Sequence, residues 1–198
     1  MNFSAAAENS LGTFLKDDFI IKFSADYGSG RSGHRNLIRQ DIFDRFGYQF
    51  TSTEKESFFD LKRIPQIPRL FLSISHAVDL GVWVVGPSAV GIDIEQSSRL
   101  TEKLIARISS QDEMSSAQNI VGSWKPLWTA KESAFKAFSQ ISEIQLMSEI
   151  EIRWEKAGGL DQGEYFHASH NQTNKKIACK GFAILSNSHS FSLTILNP

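Results

Sequence analysis

Hydrophobic positions recur at two different periods along this chain, and each change of period marks an element. Over residues 34 to 46, Ile38, Ile42 and Phe46 fall at helical spacing, with Gly47 just beyond as a left-handed cap and with Arg35 and Arg39 flanking the apolar face. From Leu70 to Glu95 the runs LFLSIS, GVWVV and VGIDIE, separated by turn-prone AVDLG and GPSA, predict three consecutive strands. Leu104, Ile105 and Ile108 then predict a helix, Ser110 and Glu113 have capping-box spacing for a second short one, and Pro126 opens a third through about Phe138. Further on, Ile150, Ile152 and Trp154 alternate with Glu149, Glu151 and Arg153 until Gly158-Gly159 breaks the run. KIACKGFAIL and SFSLTIL predict a hairpin across Ser186 to His189.

The order is helix, strands, helices, strands, which is the pattern of an α+β chain in two comparable halves meeting after Glu95. We place the boundary at 97/98, giving halves 1–97 and 98–198 of one compact unit, because no repeat, low-complexity tract or long linker divides the sequence. With 198 residues, 41% of them hydrophobic and 11% aromatic, the chain has ample material for a core, so disorder is not expected. A net charge of -1 provides no overall field to attract nucleic acid or an anionic membrane, so any anion site has to be local. The single cysteine, Cys179, excludes an intramolecular disulfide and a multi-cysteine zinc site. The first eighteen residues have neither a basic n-region nor a continuous apolar core, and no later run is long enough to span a bilayer, so a cytoplasmic protein is expected.

Three segments carry candidate chemistry. In GIDIE, Asp93 and Glu95 project to one face of a strand while Ile92 and Ile94 project to the other, and two converging carboxylates suit a hard divalent cation such as magnesium. The same spacing also serves a frayed strand end whose acids face water, so this motif does not decide alone. In WTAKESAFKAF, Trp128, Phe135 and Phe138 share a helical stripe, and Glu132 and Lys136 stand at i and i+4, either as an acid and base in a site or as an ordinary exposed pair. Lys131 falls within the aromatic stripe, where it either extends past apolar surface or reaches a phosphate. In SISHA, Ser75 and His76 end a strand with two groups able to donate to a phosphate, although a histidine there is commonly just hydrogen-bonded in place.

SISHA, GIDIE and WTAKESAFKA, in that order, resemble the motifs of 4′-phosphopantetheinyl transferases of the surfactin-synthetase-activating (Sfp) type. The resemblance is anchored over Ser73 to Ala137 and extends more weakly to HRNLIR. More than ninety residues precede GID, which fits this larger type rather than the smaller holo-acyl-carrier-protein synthases, where GID lies near the N-terminus. The resemblance implies a pseudo-dimer of two similar α+β halves with coenzyme A in the cleft between them. It implies Asp93, Glu95 and Glu132 as magnesium ligands, Lys136 on the reacting phosphate, Ser75 and His76 on the 3′-phosphate and Arg35 on the nucleotide; on their own chemistry Glu132, directly or through a metal-bound water, is the expected base and Lys131 a candidate phosphate contact. Lys22 and Arg31 are further candidates for the 3′-phosphate. The expected reaction is Mg-dependent transfer of the 4′-phosphopantetheine arm of coenzyme A to a serine of an apo acyl or peptidyl carrier protein, releasing 3′,5′-ADP, by a monomer without nucleic-acid or membrane partners. The alternative is a catalytically inactive relative that binds coenzyme A or regulates.

One feature departs from the family pattern, and two further stretches stand outside the resemblance. ARISSQDE lacks the double aromatic that many relatives carry before the capping-box glutamate. GSGRSG at Gly28 to Gly33 reads as a flexible loop before the Arg35 helix rather than a phosphate loop, and His167 and His170, despite HxxH spacing, fall in a polar stretch that reads as a surface turn.

Overall fold

The computed structural model describes residues 11, 14–15, 18–30, 33–47, 51–53, 63–64, 67–155, 163–172 and 175–196. Strand β1 (Ile20–Ser24) leads through a short 3-10 turn to helix α1 (His34–Phe46), whose end is capped by Gly47 at φ 68. Strands β2 (Arg63–Ile64), β3 (Ile67–His76), β4 (Gly81–Gly86) and β5 (Val90–Gln96) follow. Helices α2 (Glu102–Ile105), α3 (Gln111–Ile120) and α4 (Pro126–Phe138) come next, then strands β6 (Ile150–Glu155), β7 (Glu164–Gln172), β8 (Lys175–Leu185) and β9 (His189–Ile195). The chain is thus a mixed helix-and-sheet fold, consistent with the α+β class.

The strands form two antiparallel sheets, one in the order β1-β4-β3-β2 and one in the order β5-β9-β8-β7-β6. Alternation sorts the side chains into layers. From β4, Trp83 and Val85 join Ile38 and Ile42 of α1 in one core, while Val82 and Val84 face the other way and meet Ile92, Ile94, Phe191 and Leu193 of the second sheet. The opposite face of that second sheet, including Ile150, Ile152 and Trp154, packs under α3 and α4. A central strand buried on both faces needs apolar residues at every position, which explains why GVWVV does not alternate.

β5 is an edge strand, and its amide groups facing β3 are satisfied by side chains instead of a ladder. Ile92 N–H donates to Ser73 Oγ at 3.0 Å and Ile94 N–H to Ser75 Oγ at 3.2 Å. The serines two apart on β3 therefore join the two sheets where leaving those buried amides without partners would be costly. By backbone hydrogen bonding β5 pairs with β9, so GIDIE is built into the same sheet as the C-terminal strands.

Several expectations need revision. Ser29 N–H donates to Ala77 O and Gly30 N–H to Val78 O, each at 2.8 Å, and a Cβ at Gly28 would lie 2.6 Å from Val78 O. Residues 28–30 are therefore docked on the β3–β4 turn instead of forming a free loop. The polar stretch around His167 and His170 is not a turn: both belong to β7, and at three residues apart they point to opposite faces, so they do not share a metal. The helix predicted from Leu104 and Ile108 stops at Ile105, ahead of the extended cap residue Ser110. Gly158-Gly159 lies outside the described residues.

Candidate active site at the junction of β3, β5 and α4

Helix α4 lies directly on β5. A Cβ at Gly91 would fall 1.8 Å from Ser133 O, so glycine is what permits this approach. The contact carries Lys136 to the strand, where its ammonium donates to Ile92 O at 3.0 Å and to Asp93 Oδ1 at 2.8 Å and stands 3.5 Å from Glu132 Oε2. Asp93 Oδ1 also accepts from the Ser75 hydroxyl at 2.8 Å. Its other oxygen, Oδ2, is buried without a hydrogen-bond partner, in a side chain only 1% exposed.

Burial, the neighbouring Asp93 carboxylate, a hydrogen bond that protonated Glu132 makes with Asp93, and Glu95 push the Glu132 carboxyl up to about 8, with Lys136 pulling the other way. Glu95 is raised by burial and by Asp93, against Arg99 and Lys136; Arg99 Nη1 lies 3.4 Å from its Oε2. Lys136 loses from burial but is raised overall by Asp93 and Glu132. Three crowded carboxylates against one ammonium favour uptake of a proton or another cation.

Beside the acids stand two histidines and an arginine. His76 is lowered by burial and then by the charges of His34, Lys136 and Arg35, with Asp93 opposing them, and its ring centroid is 5.2 Å from that of His34. Arg35 projects from the exposed first turn of α1. The docked glycine loop brings that turn alongside the end of β3.

The geometry thus brings together Asp93, Glu95, Glu132, Lys136, His76 and Arg35, and it gives Ser75 and Lys131 other partners. Ser75 is buried, and its hydroxyl both accepts from Ile94 and donates to Asp93, so it holds an acid in place and has no proton left for a phosphate. Lys131 is 1% exposed and lies on the far side of α4, bonded to both Glu113 oxygens at 2.9 and 3.0 Å and to Ile150 O at 2.6 Å. It is a buried tie between α3, α4 and β6, and its ammonium does not face the acids. Lys22 is engaged by Asp41 of α1, which also accepts from Tyr27 and Trp83, while Arg31 lies outside the described residues. His34 and Arg99 were not among the sequence candidates: an exposed-looking histidine and an arginine past a strand end carry no pattern of their own.

Residues 89–190 match the family model described as the 4′-phosphopantetheinyl transferase superfamily. The chain belongs to the 4′-phosphopantetheinyl transferase superfamily. The match takes in β5, all of α2 to α4 and the strands up to the start of β9, and with them Asp93, Glu95, Glu132 and Lys136; Arg35, Ser75 and His76 precede it. No curated protein matches the chain. Membership supports a phosphopantetheinyl transferase, whose family uses coenzyme A as substrate. Among the described residues no helix is long and apolar enough to cross a membrane.

Members of this superfamily typically use magnesium. Among the described residues no three His, Cys, Asp or Glu side chains are, as they stand, grouped to enclose a metal ion. The residues nevertheless fit one: Asp93 Oδ2 is a buried acceptor lacking a partner, and the donor set around it is carboxylate oxygen, which suits a hard cation.

Proposed function

We propose that the protein transfers the 4′-phosphopantetheine arm of coenzyme A to a serine of an apo acyl or peptidyl carrier protein, as a transferase of the Sfp type. The supporting observation is the adjacency of the acidic trio Asp93, Glu95 and Glu132 to Lys136, Arg35 and the imidazole of His76, which can donate to a phosphate. Coenzyme A presents the complementary pair, a pyrophosphate that needs a cation held by acids and a 3′-phosphate that needs basic side chains. The two sheets would then correspond to the family's two halves, with β5 joining the second sheet although it precedes the 97/98 boundary.

Asp93, Glu95 and Glu132 would hold magnesium, which when bound neutralises pyrophosphate charge and fixes its geometry. Glu132 takes the proton of the carrier serine, whose oxygen forms a bond to the β-phosphorus that bears the pantetheine arm. The bond from that phosphorus to the oxygen bridging to the α-phosphate breaks, and Lys136 stabilises the departing oxygen of 3′,5′-ADP. Ser75 contributes by fixing Asp93. His76 and Arg35 meet the nucleotide end.

His76→Ala is expected to raise the calorimetric Kd for coenzyme A about tenfold, as the loss of one charge-assisted hydrogen bond would. It should leave the Kd for 3′-dephospho-coenzyme A unchanged. Equal coenzyme A affinity in wild type and variant would remove His76 from the 3′-phosphate.

A further inference from the structure

Helix α4 meets β9 through hydroxyl groups, where two packed elements would ordinarily present apolar side chains. Thr129 and Ser133 on the helix and Ser190, Ser192 and Thr194 on the strand are all fully buried. Thr129 Oγ1 is 2.9 Å from both Ser190 Oγ and Ser192 Oγ and 3.2 Å from Pro126 O, and Ser133 Oγ is 2.8 Å from Thr194 Oγ1. A hydroxyl has one proton and two lone pairs, so the three contacts saturate Thr129 and fix where it sits.

The position of these contacts matters. In the β5–β9 ladder, Ser192 is paired with Asp93 and Ser190 with Glu95. Directly paired residues project to the same face, so Thr129 is bonded to the two side chains immediately beside the two acids. One helical turn further on stands Glu132, and Lys136 follows at i+4, bonded to Asp93. Apolar packing would let the helix slide or rotate by fractions of an ångström at little cost, whereas a saturated buried hydroxyl resists both movements. The partnerless Asp93 Oδ2 is the group whose complement depends on that register.

We propose that Thr129 is a positioning residue: bridging Ser190 and Ser192, it sets the register of α4 on the sheet so that Glu132 meets Asp93 and Glu95. What the acids then do rests on the function proposed above, but their capacity to bind a cation can be measured without it. Thr129→Val keeps the volume and removes the hydroxyl; Thr129→Ser keeps the hydroxyl. Thr194→Val removes a buried hydroxyl contact of the same kind opposite Gly91, away from the acids, and controls for general loosening of the interface.

The test combines Mn2+ titration calorimetry on each full-length variant with steady-state transfer kinetics and thermal melts. Thr129→Val is expected to weaken Mn2+ binding about tenfold and to lower kcat roughly ten- to a hundredfold, with the KM for coenzyme A within about twofold. Thr129→Ser should recover both, and Thr194→Val should lower the melting temperature while keeping Mn2+ affinity and kcat near wild type. Mn2+ affinity in folded Thr129→Val equal to wild type, or an equal loss in Thr194→Val, would overturn the proposal. A wild type that binds Mn2+ but transfers no arm would remove the proposed reaction while leaving the positioning of the acids to be decided by the Mn2+ titrations.

Discussion

Glu132→Gln is expected to lower the rate of arm transfer by at least about a hundredfold, a loss typical of removing a positioned general base. The glutamine has nearly the same shape, so the helix keeps its packing, and Lys136 keeps its bonds to Asp93 and Ile92 O. On the proposed mechanism, what disappears is the proton acceptor and one of the three carboxylates that would hold the cation. Coenzyme A affinity, which the proposal assigns to His76 and Arg35, should change little. Rapid-quench measurement of a single turnover separates the two effects: a rate within about tenfold of wild type would take Glu132 out of the reaction.

Lys131→Ala should have its effect on folding. Removing one partner of a buried ion pair typically costs about 3–5 kcal/mol, because the other charge is left desolvated. Here Glu113 would lose Lys131 from both oxygens while still accepting from Ser110 N–H and Ile152 N–H, and Ile150 O would lose its donor. Lys131→Met, which fills the same space, should cost less than the alanine. Urea unfolding measures the loss, and calorimetry at low temperature on the folded variant should show wild-type affinity for coenzyme A. Unchanged stability with weakened coenzyme A binding would return Lys131 to the phosphate.

The difference between Glu132 and Lys131, neighbours in the same motif, marks the limit of what the sequence reveals. Local signals were legible: the capping box of Ser110 and Glu113 forms, and α4 runs from Pro126 to Phe138 as its periodicity predicts. The alternation of GIDIE did put Asp93 on the opposite face from Ile92 and Ile94. Periodicity also placed Lys131 on the core-facing stripe. It did not tell that Glu113, eighteen residues earlier, would be waiting there. Ser75 was legible as a polar residue at a strand end, but its partner comes from β5 and appears only when the sheets meet.

Strands were missed for a related reason. β1 is only five residues long and puts apolar groups on both faces, with Ile20 beside Lys22 and Ser24 packed toward α1 and Ile21 and Phe23 toward the second sheet, so it shows no clean alternation. β7 has the reverse problem, since its polar His170 is buried beside Phe138 under α4, a packing that no polarity pattern predicts.

The central claim is tested most directly by incubating the protein with coenzyme A, magnesium and a panel of apo carrier proteins, then weighing each carrier by mass spectrometry. Glu132→Gln and a chelator serve as controls. The account predicts a gain equal to one phosphopantetheine arm on at least one carrier, lost in both controls. Coenzyme A binding with no gain on any carrier would contradict it, and would favour a relative that keeps the nucleotide site without the transfer.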